Sequence, residues 1–426
     1  MKLSRYNIFF SHREKRYVYN TLSTSLVEIE SESTLLSSSN VEKSKSLGFV
    51  VDCDSDEVLK YQYYFDKCRF LEKGSVLGIT YIPTYKCNLR CTYCYEGIDN
   101  FTESEALRSG EAINAIVAFV LLKIKSENFS KIELSLYGGE PLLYSRECVL
   151  LSDAIRQVAK EHNLNFSSRI FTNGLLLTDE LIEQLIRPND MMIQLTLDGL
   201  RTTHDKMRVD INNEGTFNKT VSLIKRLSSK GLGCNTTIRI NVRPDNLQEI
   251  DDLCSLLSGL THRVYFSVLE DIGRGKNCSG SCIPIGQFKA EMYYSLLNVA
   301  RKYGFESRFR PFGKRKPCSF YSENKFFIDA ALQVYKCFAI CGKLEYSVGR
   351  LETSGKLKLS STFFSQVMHT PFSTEKCTNC ALLPLCAGGC PKRVIYKRGA
   401  LNGFDCDLTQ DELIKVLGAY IDYTRG

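Results

Sequence analysis

The sequence predicts an α/β chain: a parallel sheet of βαβ units, preceded by a small α+β segment and followed by a cysteine-rich segment. Three observations carry this. Apolar strands and amphipathic helices alternate from Leu77 to Leu269. Glycines and polar residues follow the strand ends, where such sheets carry function. Of the 18 cysteines among 426 residues, eight fall between Cys318 and Cys406, and three, Cys87, Cys91 and Cys94, crowd the end of the first strand of the alternating stretch.

The length exceeds one ordinary core and suits two or three domains. Hydrophobic residues at 43% and charged residues at 24% are usual for a globular chain. The net charge of +7 is mild, and no Lys/Arg stripe interleaves with aromatics, so no nucleic-acid partner is expected. The basic excess would suit an acidic peptide. The apolar run Tyr6–Phe10 is too short for a signal peptide, and no stretch is long enough to span a membrane. The expectation is a cytoplasmic protein with no membrane partner. Clustered cysteines in such a chain stay reduced and read as metal ligands.

Residues 1–77 form the small N-terminal α+β domain. Tyr6–Phe10, Tyr17–Asn20 and Leu26–Ile29 read as strands. Ser31–Leu47 is Ser-rich helix or loop, and a helical pattern runs on through Phe70. The segment reads as a structural cap on the α/β sheet, with a peptide-binding unit as the alternative. Cys53 and Cys68 read as ordinary buried thiols.

Six strands then alternate with helices. The strands are Leu77–Ile82, Lys131–Tyr137, Asn165–Phe171, Met191–Leu197, Asn235–Val242 and Arg263–Leu269. Helical spacing marks Glu103–Lys125, Pro141–His162, Asp179–Ile186, Phe217–Leu227 and Leu247–Leu257. Periodicity alone gives an α/β sheet and no more.

The first strand runs into Cys87, Cys91 and Cys94, spaced C-x3-C-x2-C, with Tyr93 before the third. Three thiolates can hold three irons of a cubane and leave the fourth iron open. A structural zinc site wants four protein ligands and a closed shell, and an ordinary iron–sulfur cluster takes four cysteines. The gap points to another ligand for the open iron. Half a zinc site, or three core cysteines, is the alternative.

This loop resembles that of the radical S-adenosylmethionine (SAM) enzymes. The resemblance implies a partial (β/α)6 barrel over residues 78–275. It also implies a [4Fe–4S] cluster on Cys87, Cys91 and Cys94 whose open iron SAM chelates. SAM would be cleaved reductively to methionine and a 5′-deoxyadenosyl radical, fed by a one-electron reductant such as flavodoxin or ferredoxin. Gly138-Gly139-Glu140-Pro141 begins 44 residues after Cys94, as in that family, where this motif contacts the amino group of SAM. Thr172-Asn173-Gly174 follows the third strand. Thr196-Leu197-Asp198-Gly199, then His204-Asp205 and Arg208, resembles the branch that modifies peptides and proteins. By that resemblance Thr196 reaches the ribose, Arg208 pairs with the carboxylate and Leu269 packs on the adenine. Tyr93 and Asn173 join these cofactor contacts. His204 reads as a capping or packing residue, and Gln194 and Asp198 stay unassigned.

Cys377-x2-Cys380-x5-Cys386-x3-Cys390, then Cys406, with Cys318 and Cys337 upstream, resembles the iron–sulfur SPASM domain. That domain would cover residues 318–426, with 276–317 bridging to it. The resemblance implies two auxiliary [4Fe–4S] clusters: Cys318, Cys337 and Cys390 on the first, and Cys377, Cys380, Cys386 and Cys406 on the second. Cys341 is a candidate fourth ligand of the first, with Cys278 and Cys282 as rivals, or an iron left open for a substrate thiolate. A zinc ribbon is the alternative.

Two positions depart from the family pattern. Leu332 stands where a glycine is usual, so the turn there is expected to be built differently. Phe338 stands where enzymes that mature anaerobic sulfatases carry an Asp base. Thr409 and Glu412 form a capping box for a closing helix between Asp407 and Tyr423.

The function implied is a peptide maturase that oxidatively modifies a ribosomally made precursor (a RiPP) through a thioether or C–C crosslink. The N-terminal segment loosely resembles the leader-peptide recognition unit of such enzymes. The alternatives are an anaerobic sulfatase-maturing enzyme that makes formylglycine and a catalytically inactive peptide-binding member. The sequence identifies no catalytic base.

Overall fold

The computed structural model describes residues 1–71, 75–94, 109–186, 190–271, 283–284, 290–307, 317–406 and 408–425. Its N-terminal strands are β1 (Asn7–His12), β2 (Lys15–Asn20) and β3 (Leu26–Ile29). The central strands are β4 (Ser75–Ile82), β5 (Phe129–Leu136), β6 (Asn165–Phe171), β7 (Met191–Leu197), β8 (Thr236–Val242) and β9 (Arg263–Val268). After these come β10 (Glu306–Ser307), β11 (Lys325–Asp329), β12 (Gln333–Tyr335), β13 (Gly349–Leu351) and β14 (Leu357–Leu359).

β4 to β9 pair with their sequence neighbours, all parallel. Helices Ser109–Ser126, Ser145–Glu161, Asp179–Leu185, Phe217–Ser229 and Ile250–Leu257 make the crossovers. This is the expected βαβ sheet, and all six strand positions match the sequence reading to within a few residues.

Alternation along each strand decides what faces where. In β7, Met191, Ile193, Leu195 and Leu197 lie in the main core, and Met192, Gln194 and Thr196 point the other way. In β8, Ile238, Ile240 and Val242 join that core, opposite Arg239 and Asn241. The helices complete the core from their apolar stripes. Phe217–Ser229 buries Val221, Leu223, Ile224 and Leu227, a spacing that keeps them on one face. Each such residue contributes about 1.5–3 kcal/mol on full burial.

Some helices differ from the sequence reading. Residues 141–162 divide into a 3-10 turn, Pro141–Tyr144, and the helix Ser145–Glu161. Glu140 accepts the Leu142 amide and Pro141 takes the first helical position, so the chain turns before the helix proper begins. Leu247–Glu249 is likewise 3-10, ahead of Ile250–Leu257. Arg201–Met207 is a short helix that ends at Arg208. The predicted start of the helix at Glu103 lies outside the described residues.

The C-terminal segment does not make a sheet of its own. β11 pairs parallel with β4, and β12, β13 and β14 extend the same sheet antiparallel. Among the described residues this gives eleven strands in the order β10-β9-β8-β7-β6-β5-β4-β11-β12-β13-β14. In the β11–β12 turn, Leu332 is left-handed, φ 62°, the region that glycine enters without cost. The backbone thus keeps a glycine's conformation with leucine in place. Leu332 is 1% exposed in the main core, and Asp329 accepts the amides of Ala331 and Gln333 at 3.0 and 2.9 Å.

Residues 1–71 pack mainly on the C-terminal segment. Ile8, Phe10, Tyr17 and Tyr19 share a core with Leu413, Leu417 and Ile421 of the closing helix Gln410–Arg425. Tyr61 and Phe65 join Phe320 and Tyr321. The capping box is present: the Thr409 amide donates to Glu412 at 2.8 Å, and the Glu412 amide to Thr409 Oγ1 at 3.2 Å. Cys53 is exposed and Cys68 half-buried, so neither is the buried thiol expected. No helix among the described residues is long and apolar enough to cross a membrane.

Candidate functional site

The loop after β4 is held from two sides. Towards the β5 end, the Gly139 amide donates to Thr84 O at 3.1 Å and the Glu140 amide to Lys86 O at 2.8 Å. Both glycines are required there. A Cβ on Gly138 would stand 2.4 Å from Thr84 O, and one on Gly139 would stand 2.3 Å from Lys86 O. The close approach that these glycines permit is to the cysteine loop itself. On the other side, the Arg90 amide reaches Val209 O at 2.7 Å and the Thr92 amide Met207 O at 3.0 Å.

Cys87 and Cys91 are half-buried, and Cys94 is exposed. The Leu89 amide donates to Cys87 Sγ at 3.4 Å, and Asn173 Nδ2 approaches it at 3.7 Å. The same amide-to-sulfur contact recurs at Cys380 from Leu382 and at Cys386 from Gly388, each at 3.4 Å. N–H donors aimed at sulfur suit thiolate ligands, since hydrogen bonds to the sulfurs also tune iron–sulfur clusters. Among the described residues no three His, Cys, Asp or Glu side chains gather around one point, as a closed zinc site requires. A cubane asks for less, because each thiolate takes a different iron.

A buried polar network stands behind the loop. The Tyr93 hydroxyl donates to Asp198 Oδ2 at 2.6 Å. It accepts from Arg208 Nη1 at 2.6 Å and from Asn241 Nδ2 at 3.1 Å. Asn241 Nδ2 also reaches Asp198 Oδ1 at 2.8 Å. Asn246 donates to the carbonyls of Asp198 and Asn241 at 2.7 and 2.8 Å. Burial works against the charge of Arg208, but Cys91, Tyr93 and Asp198 outweigh it and keep the guanidinium protonated.

His204 belongs to this network as a packing residue. It is 0% exposed, and its Nδ1 accepts from the Asp198 amide at 3.3 Å. Nε2 therefore carries the proton and donates to Thr216 Oγ1 at 3.1 Å, which in turn donates to Arg208 O at 2.7 Å. Burial first, and the charge of Arg208 second, push its pKa down to about 4, so the ring is neutral.

Glu140 is 0% exposed and fully engaged. Oε1 accepts from the Leu142 amide at 3.0 Å and from Thr172 Oγ1 at 2.8 Å, and Oε2 from the Asn173 amide at 2.8 Å. Burial pushes its carboxyl above the usual range, against the pull of these bonds. The acid thus ties the end of β5 to that of β6. Asn173 Nδ2 continues the tie to Asn88 Oδ1 at 2.7 Å. Thr196 lies on the open face of β7 beside Arg239. Leu269 is half-buried just past β9, its amide on Val242 O at 3.0 Å.

Asp198, Asn241, Asn246 and Thr216 are the residues that sequence reasoning left without a role. Asp198 and Asn241 lie at strand ends of a parallel sheet, which is a weak signal. Their common partner Tyr93 is remote in sequence and gives none.

Two neighbourhoods appear among the C-terminal thiols. Burial pushes Cys337 up to about 12, and the charges of Cys318 and Cys390 add to this. Cys377 is raised by burial, with Cys406 and Cys380 adding to it. Cys341 has different surroundings. It is 6% exposed, packs with Ile82 and Tyr335, and its Sγ donates to Cys337 O at 3.3 Å. Cys278 and Cys282 lie outside the described residues.

Residues 81–257 match the model of the Radical SAM superfamily. The chain carries a radical SAM domain over this stretch. Radical SAM proteins are oxidoreductase-type enzymes, and such a domain implies a [4Fe–4S] cluster and SAM. The cysteine-type anaerobic sulfatase-maturating enzyme of Clostridium novyi is 25% identical over 348 residues, covering 75% of this chain and 90% of its own. The mycofactocin maturase MftC of Mycolicibacterium smegmatis is 24% identical over 341 residues, covering 77% and 81%. Streptococcus suis SuiB, solved bound to the precursor peptide SuiA, superposes with a TM-score of 0.57 at 14% identity, over 96% of this chain and 99% of SuiB. At that identity the likeness is one of fold: this radical SAM chain and SuiB share their architecture nearly end to end.

Proposed function

We propose that this protein is a peptide maturase. The observation that carries the reading is the three-thiol loop, hung between Gly138-Gly139 and Met207–Val209 and backed by half-buried Arg208. Cys87, Cys91 and Cys94 would hold the [4Fe–4S] cluster. With SAM bound, it would supply the electron that cleaves the cofactor to methionine and a 5′-deoxyadenosyl radical. The chain's own groups position and exclude. Gly138 and Gly139 seat the loop, and Glu140 fixes Asn173 beside Cys87. Arg208 offers the cofactor carboxylate a planar guanidinium, held in place by Tyr93. Thr196 and Leu269 would take the ribose and adenine. Burial around the network keeps water from a reactive site.

Cys318, Cys337 and Cys390, with or without Cys341, and Cys377, Cys380, Cys386 and Cys406 would hold two auxiliary clusters. These would accept the electron that product formation releases. A peptide substrate is supported by the maturase names of the relatives and by the N-terminal sheet. Among the described residues β3 pairs only with β2, so its outer edge is open to an extended peptide strand. The bond installed would be a thioether or C–C crosslink, with flavodoxin or ferredoxin as the reductant.

The test is paired. Cys94→Ala abolishes formation of 5′-deoxyadenosine by reduced protein; retained turnover removes the assignment. Cys380→Ala keeps part of that cleavage and stops product formation; normal product removes the electron-acceptor role. A second reading, sulfatase maturation, is favoured by the extent of the match to the Clostridium novyi enzyme. Phe338 in place of an acid weighs against it. Conversion of a short sulfatase-motif peptide to formylglycine would establish it.

A further inference from the structure

Phe338 is 41% exposed, although it is a large aromatic residue at the start of a well-packed turn. Its ring lies 5.6 Å from Tyr137 at 46° and 6.4 Å from Phe327 at 54°. Tyr137 in turn meets Phe171 edge-on, 5.3 Å away at 73°. Three separate segments thus build one aromatic strip: the ends of β5 and β6, and the turn that follows Cys337. Tyr137 directly precedes Gly138-Gly139, whose backbone touches the cysteine loop, so the strip begins beside the candidate site.

We propose that Phe338, Tyr137 and Phe171 form the subsite that receives an aromatic side chain of the peptide. This rests on the maturase reading and names the class of side chain it takes. An exposed ring at the end of packed rings leaves apolar area in water that a partner would cover. Tilted and edge-on contacts continue to a further ring, and such pairs add stabilisation beyond the area they bury. An aliphatic chain gains only the area. A carboxylate laid over the exposed Phe338 ring would lose water to a surface of carbon, a cost that the ring does not offset. The strip continues the candidate site, which makes a peptide held there the occupant it fits.

The chain contains no tryptophan, so the emission of a tryptophan in a peptide reports binding without background. The probe is a heptapeptide with one central tryptophan among alanine, serine and glycine, titrated into the reconstituted full-length protein. The expected result is a saturable blue shift. Phe338→Asp weakens binding about tenfold, ~1.4 kcal/mol, and Phe338→Tyr restores it. The same peptide with a central glutamate does not compete. Phe338 is exposed, so Phe338→Asp keeps the fold, which an unchanged melting curve checks. Phe171→Ala gives an independent second reading. Unchanged affinity in both Phe338→Asp and Phe171→Ala overturns the inference. The yield of 5′-deoxyadenosine is measured beside it on the wild-type protein. Phe338-dependent binding by a protein that makes none keeps the subsite and removes the maturase reading.

Discussion

Arg208 donates to the Tyr93 hydroxyl at 2.6 Å, one residue before the third cysteine of the loop. Two stretches more than a hundred residues apart are joined by this bond, and the same hydroxyl also holds Asp198 and Asn241. The cysteine loop is therefore positioned by side chains just past β7, in β8 and at the end of the helix Arg201–Met207, as well as by its own backbone.

Asp198 is the counter-charge of this network. Asp198→Ala takes the acceptor from the Tyr93 hydroxyl and from Asn241 Nδ2, and leaving such a donor unsatisfied costs about 1–3 kcal/mol. Urea unfolding of the purified protein should show a loss of this order. A loss below about 1 kcal/mol would mean that this acceptor is dispensable.

Gly139 faces a purely steric demand, with Lys86 O and Tyr85 O where a methyl group would go. Gly139→Ala should displace the loop and lower the iron bound after reconstitution. Gly110, with open space around it among the described residues, is the control, and Gly110→Ala should leave iron content unchanged.

His204 links stability to pH. Its ordinary value of 6.5 falls to about 4 in the fold, through burial first, then Arg208, with Asp198 and Asp205 opposing. The unfolded chain therefore binds this proton at pH values where the folded one does not. The contribution is complete above about 6.5 and is lost as pH falls towards about 4, roughly 3 kcal/mol in all. His204→Gln should flatten the difference in unfolding free energy between about pH 7.5 and about pH 5. An unchanged difference would place the acid sensitivity elsewhere.

Much of this was legible in the sequence. Period-two and helical spacing gave the six central strands and their crossovers, because one face of each element must be buried. The cysteine loop and the glycine pair stood out as motifs. Three things were not legible. The seating of Gly138-Gly139 against the loop depends on where Thr84 and Lys86 pass, which only tertiary packing decides. The role of Asn241 depends on Tyr93, remote along the chain. Leu332 concealed a left-handed turn, because the usual glycine is absent and the cost is offset by core burial and the Asp329 cap.

Cys341 offers a sharper check on the proposed first auxiliary cluster. Its thiol packs on Ile82 and Tyr335, so Cys341→Ala should keep the full iron content of the reconstituted protein. A fall of about four irons per chain would make it a cluster ligand.

A SAM-cleaving cluster accompanied by two auxiliary ones sets a definite metal content. Iron and sulfide are measured in anaerobically reconstituted protein, with and without Cys87, Cys91 and Cys94 replaced by alanine. Three cubanes give about twelve irons per chain, falling to about eight when the three cysteines are removed. Stoichiometric zinc, or an iron content that does not change on their removal, would contradict the three-cluster reading.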